Sequence, residues 1–314
     1  MSSIRKFSLP PERTAPLLVI IAASLWGVDG IVLRPSLFNL PVPLVVFVES
    51  SIVALLLSPY FVRQFPSLKQ LRFKDWLAFF LVALLGGAIG TMAITKALFY
   101  VNFVNLSVVI LLQKLQPIFA IILAAVFLKE RLTMPFFLWA GLAVIGAYFM
   151  TFGTKLPDFS TGDKTAIAAL FSLLAALAFS SSTVLSKRAL RNVSYGMGTY
   201  LRFLFSTIIM LMIVVLVGDM NSISDITTTQ IIVFLIIAFT TGGAAIFFYY
   251  YGLKRISASV AAICELAFPL TAIMLEYLIR GNILDAIQWV GAAVLLISIL
   301  KVSGINIPTR LNLK

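Results

Sequence analysis

The sequence predicts an all-α integral membrane protein of ten transmembrane helices, arranged as two inverted five-helix repeats. Three observations predict it. Ten apolar stretches fall at 15–33, 42–61, 76–100, 104–128, 135–153, 164–186, 195–217, 230–253, 256–279 and 286–305, each close to the 20 or so residues that a spanning helix needs. The chain is 61% hydrophobic and 11% charged, against about 45–50% and 25% in soluble proteins. The stretches also divide into two similar blocks of five. Five is odd, so the second block must enter the membrane upside down relative to the first. Repeats of this kind recur in secondary transporters, with the substrate held between them near the midplane. We place the first repeat, helices one to five, at 1–154 and the second, helices six to ten, at 155–314. No stretch is left over for a soluble domain, and the Pro-rich, basic start (Arg5, Lys6, Pro10, Pro11, Arg13) leads into the first span with no signal-peptide cleavage site.

Each element is supported by its charges. With the N-terminus cytoplasmic, seventeen Lys and Arg fall at inner ends and loops, against four outside (Arg34, Lys155, Lys164, Arg280); Lys96, Lys114 and Arg202 lie within spans. This positive-inside bias predicts both termini cytoplasmic in a cell membrane, plasma or inner. It also accounts for the net charge of +12 without a nucleic-acid partner. The single Cys264 and the absence of histidine leave no disulfide, no Cys cluster and no ordinary metal site. No metal or cofactor is expected.

The repeat can be followed residue by residue. A shift of 152 lays Gly90 on Gly242, Asn105 on Ser257 and Pro117 on Pro269; Trp139-Ala-Gly141 then overlies Trp289-Val-Gly291 past a connection two residues shorter. A shift of 153 lays Arg34 on Lys187. The run from Gln116-Pro117 through Phe127-Leu-Lys-Glu130-Arg-Leu-Thr133 to Trp139-Ala-Gly141 resembles the end of the EamA repeat of the drug/metabolite transporter superfamily. So does Glu265-Leu-Ala-Phe-Pro269 through Glu276-Tyr-Leu to Gln288-Trp-Val-Gly291. The resemblance implies a ten-helix carrier that moves small organic solutes by alternating access. Two departures weaken any transfer of substrate: Gly281-Asn282 stands where a Gly-Glu is common, and Glu265 lies four residues before its proline rather than next to it.

Polar groups at membrane depth are the candidate site, because a charge there costs about 2.5 kcal/mol or more unless it faces a partner or a wet cavity. Asp29 and Glu49 lie toward the outer side; Lys114 and Glu265 lie near the midplane at nearly equivalent repeat positions. We read these last two as opposed across a central cavity, either as an ion pair locking the halves or as groups that bind or gate a polar substrate. Gln113 and Gln116 add hydrogen-bonding groups beside Lys114. Arg202 is either a deep counter-ion or a side chain reaching the inner interface. Pro117 and Pro269 each delete a helix hydrogen bond and kink helices beside the cavity. Ser180-Ser181-Ser182-Thr183 offers hydroxyls that either meet substrate or bond their own backbone, and Phe247 to Tyr251 read as an interfacial aromatic belt. The glycines at 86, 87 and 90, and Thr240 to Ala244, suit close helix packing.

Spans one to four and six to nine should flank the cavity, with five and ten peripheral, since those two carry no acidic residue well inside the bilayer. Their Gly141, Gly146 and Gly291 suit helix contacts, a homodimer interface among them. A cavity with both signs of charge favours a small zwitterion such as an amino acid; a carrier of organic cations or drugs is the alternative. A coupling ion, proton or sodium, is compatible with either. A channel is not excluded by sequence. A membrane enzyme would need a catalytic cluster that twelve carboxylates without histidine do not present.

Overall fold

The structure, a computed structural model, describes residues 11–62, 64, 68, 69, 71–100, 109, 112–154, 163–281 and 284–305. Its helices, with kinks included, are α1 (Thr14–Leu37), α2 (Val42–Phe61), α3 (Phe73–Tyr100), α4 (Gln116–Leu128), α5 (Met134–Phe152), α6 (Ala166–Ala189), α7 (Tyr195–Val217), α8 (Thr228–Arg255), α9 (Ala258–Ile279) and α10 (Ala286–Ser303). Among the described residues, nine are long and apolar enough to cross a membrane. The tenth, α4, is the described end of the predicted span 104–128; most of that span's first third lies outside the described residues. The described residues contain no strand. This follows from the medium, since backbone groups in lipid must be satisfied within their own segment.

Polar caps set several helix starts. Ser194 accepts from Met197 N, Ser257 from Val260 N, and Thr227 with Gln230 and Asp285 with Gln288 form reciprocal capping boxes. At the ends of α4 and α9, Lys129 (φ 55°) and Gly281 (φ 66°) occupy the left-handed region at positions related by the 152-residue shift. Glycine adopts that conformation freely, whereas Lys129 is held there while its neighbour Glu130 caps another helix. The Glu130 carboxylate accepts from Ala258 N (2.8 Å), Ser259 N (3.1 Å) and Ser259 Oγ (2.6 Å), tying the α4–α5 connection to the start of α9.

Packing follows the repeat. α1 packs on α8 as α6 packs on α3, and α1 packs on α9 as α6 packs on α4, while α2 pairs with α7 and α5 with α10. Small residues permit the approach. A Cβ on Gly86 would strike Ser182, one on Gly87 would strike Ser206, and one on Gly252 would strike the Ala15 carbonyl. Gly146 and Gly291 bring the backbones of α5 and α10 together within one chain, and Gly141 meets nothing within 4 Å.

Two local irregularities recur in both repeats. Wide π-turns interrupt α3 at Ala83–Ile89 and α8 at Ala238–Gly242, stretches that overlap under the same shift. The chain breaks its helix at Lys114–Leu115 ahead of α4, and again at Glu265–Leu266 within α9. The cause is proline. Pro117 and Pro269 cannot donate to the carbonyls four residues back, those of Gln113 and Glu265. The Glu265 carbonyl is instead satisfied by Phe268 N at 3.0 Å.

Candidate functional site

A central cavity of about 250 Å³ is lined by residues of α1, α2, α3, α6, α7, α8 and α9, of α4 and of the turn before it; α5 and α10 contribute none. All nine candidate residues line it: Asp29, Glu49, Gln113, Lys114, Gln116, Pro117, Arg202, Glu265 and Pro269. They do not form one constellation, however.

At one side stands a buried ion cluster centred on Arg34, a residue expected in the outer loop. That expectation is corrected. α1 continues past Arg34, which is only 8% exposed. The π-turn Asp29–Leu33 explains how, because its i→i+5 hydrogen bond stacks residue 34 over residue 29. Arg34 Nη2 lies 2.6 Å from Asp29 Oδ2 and 3.2 Å from Glu49 Oε1; Nε donates to Asp29 Oδ2 at 2.8 Å, and Nη1 donates to Thr95 Oγ1 at 3.1 Å. Thr241 Oγ1 donates to Asp29 Oδ1 at 3.4 Å. One guanidinium thereby joins α1, α2 and α3, with α8 attached through Asp29. Its planar fork suits two carboxylates at once.

The second cluster surrounds Glu265. Its Oε1 accepts from the Tyr249 hydroxyl at 2.6 Å and from Thr183 Oγ1 at 3.5 Å, its Oε2 accepts from Gln116 Nε2, and Thr183 and Tyr249 share a further bond of 2.8 Å. Four helices, α4, α6, α8 and α9, meet at one carboxyl group.

Lys114 and Glu265 line the same cavity but do not meet. The break ahead of α4 turns Lys114 toward α5, where Nζ donates to the Ala147 carbonyl at 2.6 Å and lies 5.7 Å from the Phe152 ring. Gln113 donates to the Ser172 carbonyl at 3.3 Å. Arg202 donates to the Tyr250 hydroxyl at 3.4 Å and is buried, which removes the interfacial reading. Among the described residues, no ion pair joins Lys114 or Arg202 to a carboxylate.

The comparisons with known proteins agree with this architecture. The model of the EamA-like transporter family matches residues 13–152 and again 166–304. The chain belongs to the EamA-like transporter family. Over 291 residues it is 46% identical to the riboflavin transporter ImpX of Fusobacterium nucleatum subsp. nucleatum, covering 92% of this chain and 97% of that one. It is 26% identical over 244 residues to the uncharacterized transporter sll1164 of Synechocystis sp., covering 74% and 67% of the two chains. A crystal structure of a protein only 16% identical, covering 91% of this chain and 95% of that one, superposes with a TM-score of 0.69 and shares the fold. This EamA-like protein is therefore a multi-pass membrane transporter of the drug/metabolite type, and not an enzyme.

Within the transporter, several site residues escaped sequence reasoning. Tyr249 and Tyr250, which fall in the stretch expected as an interfacial belt, are both buried, and their hydroxyls bond Glu265 and Ser186. The signal was periodicity: Ala245, Ile246, Tyr249, Tyr250 and Leu253 recur on the inward face of α8. Tyr251 instead lies under the Arg255 guanidinium, with its ring centroid 3.5 Å away. In the serine run, Ser180 and Ser181 bond carbonyls four residues back, Ser182 bonds the Val82 carbonyl of α3, and Thr183 alone joins the Glu265 cluster.

Proposed function

We propose that this transporter carries riboflavin, or a flavin close to it, across the cell membrane through the central cavity, by alternating access between two inverted five-helix repeats. The observation that carries the reading is the 46% identity, over nearly the full length of both chains, to a protein named as a riboflavin transporter. The cavity suits the chemistry. Trp26, Phe179, Phe203, Tyr249 and Phe268 line it and offer flat apolar faces to a heteroaromatic ring, while Thr91, Ser50 and the glutamines offer hydrogen bonds to a hydroxylated chain. Such a mixture, mostly apolar with a few convergent polar groups, is what a small-molecule site needs.

An amino acid or similar zwitterion is the second reading, favoured by Lys114 and Arg202, neither of which forms an ion pair with a carboxylate among the described residues. It is weakened because Asp29 and Glu49 are already engaged by Arg34. Purified transporter in liposomes should take up radiolabelled riboflavin saturably and show counterflow. Excess unlabelled riboflavin should compete, and a mixture of amino acids should not. Competition by amino acids with no riboflavin uptake would reverse the assignment.

Ten spans would put both termini on one side of the membrane, and the positive-inside bias predicts that this side, with the connection around residue 70, faces the cytoplasm. In a Cys264→Ala background, single cysteines at the two ends and at position 70 should resist a membrane-impermeant maleimide in intact cells and react after permeabilisation. External labelling at position 70 would sink the inverted topology.

A further inference from the structure

The three carboxylates of the cavity are not equivalent. Asp29 and Glu49 share the Arg34 guanidinium, so losing either negative charge would break a buried ion contact. Among the described residues no cation lies within ion-pair distance of Glu265, and Arg202 acts on it only through space; all three of its hydrogen-bond donors, Gln116, Thr183 and Tyr249, are neutral. We propose that Glu265 is the proton-binding group of this transporter, and that the proton it takes up and releases is the coupling ion. The second half of the proposal rests on the transport reading above; the first does not.

The cluster accommodates both protonation states with its heavy atoms in place. When Glu265 is ionised it can only accept; the Gln116 amide and the Tyr249 hydroxyl donate to it, and the single Thr183 hydroxyl hydrogen goes either to it or to Tyr249 Oη. When it is protonated, one carboxyl oxygen must donate. Thr183 Oγ1 and Tyr249 Oη lie 2.8 Å apart and either can serve as the donor, so their hydrogens rotate to receive the new O–H, while Gln116 goes on donating to Oε2. No bond other than O–H forms or breaks.

Position gives the proton its leverage. Glu265 sits where α9 breaks, and Gln116 opens α4 just past the equivalent break in the other repeat, so the Gln116–Glu265 bond spans the two interrupted helices. Removing the charge weakens that bond, since a hydrogen bond to an ionised group is roughly twice as strong as a neutral one. The charged and titratable groups that face Glu265 around the cavity are Asp29 and Arg34 of α1, Glu49 of α2, Lys114 before α4, Arg202 of α7 and Tyr249 of α8. Cys264 is its neighbour on α9, and among the described residues α3, α5, α6 and α10 bring no titratable group to the cavity.

Infrared difference spectra of the purified protein in lipid, recorded against pH without substrate, should show the carbonyl stretch of a buried carboxylic acid that titrates. The band should vanish in Glu265→Gln. In Tyr249→Phe, which removes one donor to the ionised form, the band should persist to a pH higher by about one unit, the tenfold change expected for losing a hydrogen bond to a charged group. A band unchanged in Glu265→Gln, or an unmoved midpoint in Tyr249→Phe, would overturn the proton site; the second variant decides alone where the first does not fold. In liposomes of wild-type protein, an imposed riboflavin gradient should drive proton movement reported by an internal pH dye. Riboflavin counterflow without proton movement would overturn coupling and leave riboflavin transport standing. Absence of riboflavin counterflow would reject the riboflavin reading instead, with the spectra still deciding Glu265.

Discussion

Arg34→Met should destabilise the protein by about 3–5 kcal/mol, the cost of leaving buried carboxylates without their partner. Asp29 and Glu49 are both nearly inaccessible, and Arg34 is the cation that contacts them. Methionine keeps most of the side chain's length and none of its charge, so packing changes little. The signature of the mechanism lies in its reversal. Adding Asp29→Asn and Glu49→Gln to Arg34→Met should recover most of the loss, because a neutral replacement of a whole ion cluster is often close to isoenergetic. Thermal or denaturant unfolding in a fixed detergent measures both. An Arg34→Met protein as stable as wild type would show that the cluster contributes nothing; failure of the triple variant to recover would place the cost in geometry rather than charge.

Gly291→Ala should also be costly, by about 1–3 kcal/mol as an overpacking strain, with Gly291→Leu worse still. A Cβ at this position would fall against Met150 N, the Gly146 carbonyl and Phe149 C. All are backbone atoms of α5 that cannot rotate away, so α10 must move as a body. Gly141→Ala is the matched control. It is the repeat counterpart of Gly291, in the same Trp-x-Gly context, yet its Cβ would meet nothing within 4 Å. The two variants should therefore differ sharply in apparent melting temperature. Equal effects would mean that the α5–α10 approach is looser than described.

That contrast marks where the sequence was legible. Span positions were readable because apolar length and charge bias act over twenty residues at a time. The division of labour among spans was readable too, because α5 and α10 lack deep acidic residues and bring nothing to the cavity. Partner choice was not readable. Arg34 follows Asp29 by five residues, a spacing that puts two side chains on different faces of an α-helix; only a π-turn brings them together, and no composition signal announces one. Symmetry misled for Lys114 and Glu265. Equivalent positions suggested opposed charges, but the two helix breaks turn Lys114 to the Ala147 carbonyl and Glu265 to Tyr249.

The pairing of helices has a geometric consequence. The pseudo-twofold that exchanges the repeats carries the α2–α7 and α5–α10 contacts onto themselves, and carries α1–α8 onto α3–α6 and α1–α9 onto α4–α6. In the alternating access proposed above, each repeat takes up the shape the other has left. A seam mapped onto itself is then the same seam before and after, so the α2–α7 contact and the glycine-lined α5–α10 contact would both stay in place, as an axle does. The other contacts must trade places, and both the Arg34 cluster and the Gln116–Glu265 bond lie among the helices that move.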